Sequence, residues 1–227
     1  RAAFCDKAFG LFRSKPDGSP YKGMTYMMFS LTAEGVTVRG VDRFDGDEGF
    51  ADVFLDDVFV PDEDVIGEPN KGWYVAMATT SSERGLTLRS PGRFMASSSR
   101  LVDLYRNKRG QADPVATDAV IRAWIAAQQY RWANYFTVTR MVDKGEPMGA
   151  ASSLNKIFWS EMDISLHEAG LDLLGPAATL EGGVGDCEAE GRWMKDYMFA
   201  LAGPIYAGTN EIQRMVVARR VLGLPRG

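Results

Sequence analysis

Two periodicities divide the chain. Up to about Pro61, apolar residues come in short runs cut by turn clusters, and from Gly72 onward they recur three and four apart. Residues 4–12, 24–31 and 36–41 are rich in aromatic and β-branched side chains. They are separated by Ser14-Lys15-Pro16-Asp17-Gly18-Ser19-Pro20 and by Ala33-Glu34-Gly35. Three such runs separated by turns predict an antiparallel sheet. Residues 50–61 read as a further strand passing into an exit turn. Its acidic residues Asp52, Asp56 and Asp57 fit a solvated strand face, because no other hard ligands gather near them to hold a metal.

The second half reads as helices. Residues 73–106 form one long helical pattern, with Val75, Ala76, Met77, Leu101, Val102, Leu104 and Tyr105 as core candidates. The pattern is broken near Ser90-Pro91-Gly92, where Pro91 lacks the donor a helix interior needs, so a kink or a tolerated distortion is expected there. Over residues 115–142, Ile121, Trp124, Ile125, Gln128, Trp132, Tyr135, Phe136 and Val142 share a stripe that predicts a core face. Residues 150–174 repeat the pattern with Phe158, Met162, Leu166, Ala169 and Leu173, and His167 lies among them as a packed or hydrogen-bonded structural residue. A shorter segment covers residues 192–201. Long helices with short links predict a bundle.

Composition narrows the classes. A chain of 227 residues, 45% apolar, can bury a substantial core in one large or two small domains. A net charge of −4 gives no reason to expect nucleic acid or an anionic membrane as partner. Cys5 and Cys187 lack metal-site spacing, and one histidine cannot build a zinc site. No apolar run is long enough to span a bilayer, and a reduced, cytoplasmic compartment is the expectation.

The chemistry concentrates at the end of the chain. Gly203-Pro204-Ile205-Tyr206-Ala207-Gly208 is a turn that feeds Thr209-Asn210-Glu211, a hydroxyl able to cap free amides followed by an acid at the positive end of a helix dipole. Ile212, Met215 and Val216 continue at helical spacing, Arg219 and Arg220 occupy the last turns, and Gly223 with Pro225 stops the helix. On residue chemistry alone this is either an ordinary capped surface helix or a turn that presents backbone N–H groups to a ligand.

Residues 204–214 resemble the signature of the acyl-CoA dehydrogenases, in which an aromatic-x-Gly-Thr-x-x-Ile-Gln-Arg segment runs past a flavin ring and a substrate thioester. Phe50-Ala51-Asp52-Val53 onward to Pro61, followed by Gly72-Trp73, resembles that family's closing strand and helix start. The resemblance covers the whole chain. It implies an α+β fold, with an antiparallel β-domain remnant over 1–68 followed by an all-α, four-helix-bundle-like C-terminal domain over 69–227. Against the family's layout an N-terminal helical domain and early β strands are absent from this sequence. The acyl and flavin sites of such a piece would be open on one side, with weak or no activity expected.

The common family form carries a Glu before the Gly-Thr pair as the proton-abstracting base, and here that position is Ala207. Some branches, the isovaleryl and long-chain enzymes among them, place the base as a Glu-Arg pair on the first helix of the C-terminal domain. Ser82-Glu83-Arg84 matches that pair. The resemblance therefore implies that Glu83 removes the α proton of an acyl-CoA while the β hydride passes to FAD N5, leaving a trans-2-enoyl-CoA. Arg84 would border the CoA passage. The N–H of Ala207 would polarise the thioester carbonyl, a role its side chain does not affect. Gly208 would lie against substrate, and Thr209, Asn210 and Glu211 near the flavin.

Two other cofactor motifs depart from the family pattern. The family's Arg-x-x-Phe-Gly is replaced by residues 107–114, where Lys108 or Arg109 keeps the basic position. Its Gln-x-x-Gly-Gly-x-Gly has become Asp172-Leu173-Leu174-Gly175-Pro176-Ala177-Ala178, with Gly175 as the retained element. The Leu173-Leu174-Gly175-Pro176 form and the Leu222-Gly223-Leu224-Pro225-Arg226 ending are similar to bacterial branches acting on steroid side chains or other bulky acyl-CoAs, some of them heterotetramers. The implied partners are an acyl-CoA, an electron-transfer flavoprotein or similar acceptor, and further subunits of a homo- or heterotetramer. A non-catalytic partner subunit of such an assembly is the alternative from another class, and an oxidase-like relative is a third reading.

Overall fold

Short alternating runs do become strands, and they pair two by two. The computed structural model describes residues 2–16, 19–86, 90–108, 113–145, 149, 151–184 and 188–225; for Ala3, residues 81–86, Ala151, Glu188 and Glu190 it describes the backbone alone. The chain forms two compact units, residues 1–83 and 84–227.

In the first unit, β1 (Lys7–Arg13) pairs antiparallel with β2 (Met24–Ser30), and β3 (Val36–Asp42) with β4 (Glu48–Leu55). The sheet expected from three successive runs is thus two separate two-stranded ribbons. Ser30-Leu31-Thr32-Ala33 turns the chain, the Ala33 N–H donating to Ser30 O at 3.3 Å, instead of extending the ladder. The connection between β1 and β2 is organised by Arg13, whose guanidinium donates to the carbonyls of Lys22 at 2.9 Å and Pro20 at 3.3 Å. Thr25 ties β2 to the start of the first long helix. Its hydroxyl lies 2.8 Å from Ser14 Oγ and accepts the Asn70 N–H at 2.9 Å. That helix is α1 (Gly72–Leu86).

The long pattern predicted over residues 73–106 is two helices, α1 and α2 (Pro91–Lys108). Pro91 opens a helix where a kink was expected. At the first helical position its missing N–H would have had no intrahelical partner in any case, and Ser90 Oγ accepts the Gly92 N–H at 3.3 Å. α3 (Pro114–Lys144) begins the same way, with Pro114 following Asp113, whose carboxylate caps the Ala116 N–H at 2.7 Å. α4 (Ala151–Leu174), α5 (Arg192–Ala200) and α6 (Asn210–Arg220) complete the unit.

α4 is the hub of this bundle and packs against α2, α3, α5 and α6. One core cluster joins Leu101, Leu104, Val120, Leu166 and Trp193, and a second joins Phe94, Ala127, Tyr130, Trp159 and Met162. Fully burying side chains such as Leu101 and Leu166 stabilises by roughly 1.5–3 kcal/mol each. Between helices α4 carries His167, the only histidine. It is buried, and its Nδ1 donates to the Asp163 carbonyl at 2.7 Å. Asp163 also pairs with Arg93 at 2.8 Å.

The expected core face of α3 is corrected. Ile121, Trp124, Ile125, Trp132, Tyr135, Phe136 and Val142 are exposed, Phe136 by 64%, and the inward row is Val120, Ala123, Ala127, Tyr130 and Asn134. Both rows have helical spacing. Small residues at 123 and 127 let α3 approach its neighbours closely, which the bulkier row would prevent. On α4, Met162, Leu166 and Ala169 are buried as expected, whereas Phe158 remains 39% exposed.

The same tight approach recurs between α4 and α5. A methyl group placed on Gly170 would stand 2.4 Å from Cε3 of the buried Trp193. Gly170→Ala should therefore destabilise by about 1–3 kcal/mol, seen as a lower midpoint of chemical denaturation with unchanged slope. An unchanged midpoint would show that α4 and α5 part without cost.

Candidate active site

The chain leaves α5 through seven residues of turn, 201–207, and a bend at Gly208 before the extended Thr209 opens α6. Successive backbone bonds coil it tightly. Gly203 N–H donates to Ala200 O at 2.8 Å, Tyr206 N–H to Ala202 O at 3.1 Å, and Asn210 N–H reaches back to Pro204 O at 2.9 Å. Tyr206 lays its ring 5.9 Å from that of Trp159. Ala207 then takes φ +55° and Gly208 φ +86°. The left-handed region costs a residue with a Cβ about 1–2 kcal/mol, so surrounding contacts must hold Ala207 there. At Gly208 the positive φ disfavours any side chain, and a Cβ would also meet Gln213 Nε2 at 2.5 Å and force that amide to shift.

Thr209 caps α6 as its sequence predicts, its hydroxyl accepting the Ile212 N–H at 3.3 Å. Glu211 is exposed on the first turn. Its own backbone amide and the Thr209 hydroxyl hold its carboxyl below the usual carboxylate range.

Asn210 is 2% exposed and points inward. Its Oδ1 accepts Lys156 Nζ at 2.7 Å, and its Nδ2 donates to Ser160 Oγ and to Glu161 Oε1, both at 3.1 Å. Arg214 also pairs with Glu161. Gln213, 5% exposed, accepts the Ser153 hydroxyl at 2.7 Å and donates to the carbonyls of Ala207 at 3.2 Å and Gly208 at 3.4 Å. Lys156 is itself buried, and removal from water pushes its ammonium pKa down. These α4 partners escaped sequence reasoning. The signal was present: Ser153, Lys156, Ser160, Asp163 and His167 recur at +3, +4, +3, +4 along a helix whose neighbouring row is apolar. A polar row at core spacing means buried partners.

The remaining sequence-predicted residues are dispersed. Glu83 and Arg84 have helical backbone in the last turn of α1, and their side chains lie outside the described residues. Lys108 is the half-buried last residue of α2, and Arg109 lies outside the described residues. Gly175 takes φ +55° directly after α4, where the chain tightens into a 3₁₀ segment (Gly175–Thr179). The structure therefore brings Ala207, Gly208, Thr209, Asn210 and Glu211 together with the polar row of α4.

Comparison with known proteins fixes the family. The model of the acyl-CoA dehydrogenase C-terminal domain matches residues 70–222. The chain belongs to the acyl-CoA dehydrogenase family. Acyl-CoA dehydrogenase IpdE1 of Mycolicibacterium smegmatis is 34% identical over 220 residues, which is 96% of this chain and 53% of that protein. The chain spans about half the length of the curated relatives it matches. Among solved structures, the Tcur3481–Tcur3483 steroid ACAD superposes with TM-score 0.88 at 22% identity, over 100% of this chain and 58% of that one. The ChsE4–ChsE5 complex from Mycobacterium tuberculosis gives 0.83 at 24%, over 99% and 59%. These likenesses confirm the α+β class, with β hairpins preceding an all-α region, as the acyl-CoA dehydrogenase fold.

For this acyl-CoA dehydrogenase family member the Glu211 geometry carries a pH dependence. A folded carboxyl that binds its proton less tightly than the unfolded one stabilises above the ordinary value of about 4.3, and that stabilisation is lost as pH falls through the lower folded value. Wild type should therefore melt above Glu211→Gln at pH 7, and the gap should close on acidification. A gap that stays constant from pH 7 to pH 3 would contradict this placement of Glu211.

Proposed function

We propose that this chain carries part of the active site of an FAD-dependent acyl-CoA dehydrogenase that converts a bulky acyl-CoA thioester to its trans-2-enoyl-CoA. The observation that carries the reading is the terminal turn. A family-signature segment holds Ala207 and Gly208 at positive φ ahead of a capped helix N-terminus. The donor set of that helix end suits an electron-rich ring or a thioester oxygen. Thr209, Asn210 and Glu211 would border the isoalloxazine, with Lys108 or Arg109 and Gly175 serving its phosphate and adenosine end. FAD, when bound, supplies the acceptor for the β hydride.

The chain's own residues then have distinct tasks. Glu83 is the base that takes the α proton, and Ala207 carries no carboxylate to compete with it. A carboxylate suits this step when desolvation raises its pKa. The amide of Ala207 donates to the thioester carbonyl, so that charge developing on oxygen during α-proton removal meets a fixed dipole. Arg84 borders the CoA passage, and Gly208 leaves room for substrate. The likeness to a solved steroid ACAD supports a bulky acyl group. Electrons would leave through an electron-transfer flavoprotein or similar acceptor.

A second reading rests on the exposed apolar row of α3 and on the fact that the ChsE4–ChsE5 neighbour is itself a complex of two proteins. In it the chain belongs to a non-catalytic partner subunit of a hetero-oligomer.

One experiment separates the two. The natural full-length protein, purified alone and with candidate partner subunits, is titrated anaerobically with straight-chain and steroid-side-chain acyl-CoAs while flavin absorbance is followed. Bleaching supports the dehydrogenase, and Glu83→Gln should slow it at least about 10²-fold with flavin retained. Wild-type speed in that variant would sink the base assignment. Absence of flavin in every preparation would favour the partner subunit, and rapid reoxidation by air would favour an oxidase.

A further inference from the structure

We infer that Gln213, braced by Ser153, is a positioning residue that sets the direction of the Ala207 amide, an inference that rests on the dehydrogenase reading for its catalytic consequence. The signature residue Gln213 sits on the second turn of α6 with its side chain 5% exposed. It is held at both ends. Ser153 of α4 donates its hydroxyl to Oε1 at 2.7 Å, which leaves Nε2 as the end that donates to the carbonyls of Ala207 and Gly208 at 3.2 and 3.4 Å.

The effect follows from peptide planarity. The Ala207 N–H belongs to the peptide plane shared with Tyr206, and the Ala207 carbonyl to the plane shared with Gly208. The plane before the first, shared by Ile205 and Tyr206, is anchored upstream, because Tyr206 N–H donates to Ala202 O at 3.1 Å, and the Tyr206 ring lies against that of Trp159. Gln213 anchors the second. The plane that carries the Ala207 N–H is thus held between two anchored planes, and while both are fixed φ of Ala207 stays at +55°, a value that alanine leaves when unrestrained. Release of the second plane lets Ala207 relax to negative φ and swings its amide away from the direction it now holds. Gln213 touches neither plane's N–H and acts only through the carbonyls.

Hydrogen exchange of the amides at 206–209, followed by NMR or mass spectrometry in the natural full-length protein, tests the clamp directly. Gln213→Ala should raise their exchange on the order of tenfold, and Ser153→Ala should do so more weakly. Gln213→Glu keeps the shape but turns acceptors toward the two carbonyls, so it should reproduce the loss even if the alanine variant folds poorly. In acyl-CoA turnover, Gln213→Ala should lower kcat on the order of 10-fold to 100-fold with KM nearly unchanged. Adding Ala207→Gly should restore part of kcat in Gln213→Glu, because glycine accepts positive φ without support. Unchanged exchange in both Gln213 variants overturns the clamp. Faster exchange with unaltered kcat overturns its catalytic role. Wild-type protein that bleaches with no acyl-CoA defeats the dehydrogenase reading, while the exchange comparison still decides the clamp.

Discussion

The attachment of α6 to α4 is the constraint from which the rest of the second unit follows. Two buried polar contacts at 2.7 Å make it, Lys156 with Asn210 and Ser153 with Gln213. Taking an ammonium and two amides out of water is costly unless every atom finds a partner, and here each amide oxygen and nitrogen of Asn210 and Gln213 has at least one. Such a contact has a single register. A slide of α6 by one residue would leave Lys156 without Asn210 and Ser153 without Gln213, so the helix is specified in rotation and in height together. An apolar seam of the same area would have tolerated either change.

This arrangement explains why the terminal signature carries more than turn residues. Gly208 is small because Gln213 occupies the space a Cβ would need, and Gln213 is buried because Ser153 meets it. Thr209 belongs to a different task, the satisfaction of a helix end, which it performs locally. A family motif of this kind records two separate demands, one for a peptide conformation and one for docking against a neighbouring helix.

Much of the fold was legible in the chain. The change of period near Gly72, the Asp113-Pro114 start of α3 and the Thr209 cap are local signals, and local rules suffice to read them. The break at Pro91 was legible and its form was not, because a proline is a kink or a start depending on what precedes it. The face of α3 was misread for a deeper reason. Its sequence carries two apolar rows at helical spacing, and the row with larger side chains is the exposed one. Which row faces inward is decided by how closely α2 and α4 approach, a property of three helices and not of one. The terminal turn was legible as a contiguous motif, Ala207 to Glu211, and illegible in its supports. Ser153, Lys156 and Ser160 lie more than forty residues upstream, and their identities are ordinary until the helix wheel sets them opposite α6.

Trp159 belongs to the same face of α4 as this polar row and to the bundle core. Its ring lies 6.2 Å from Phe94 on one side and 5.9 Å from Tyr206 on the other. The terminal turn consequently has no hinge of its own. Opening it means withdrawing Tyr206 from an aromatic stack that also seats α2, so the turn shares the cooperativity of the helical core. Subglobal unfolding, which exposes Trp159, is then the opening that frees Tyr206 and the turn together. Strained backbone at Ala207 persists until that opening, and thermal softening of the bundle and loss of the turn's shape become one event.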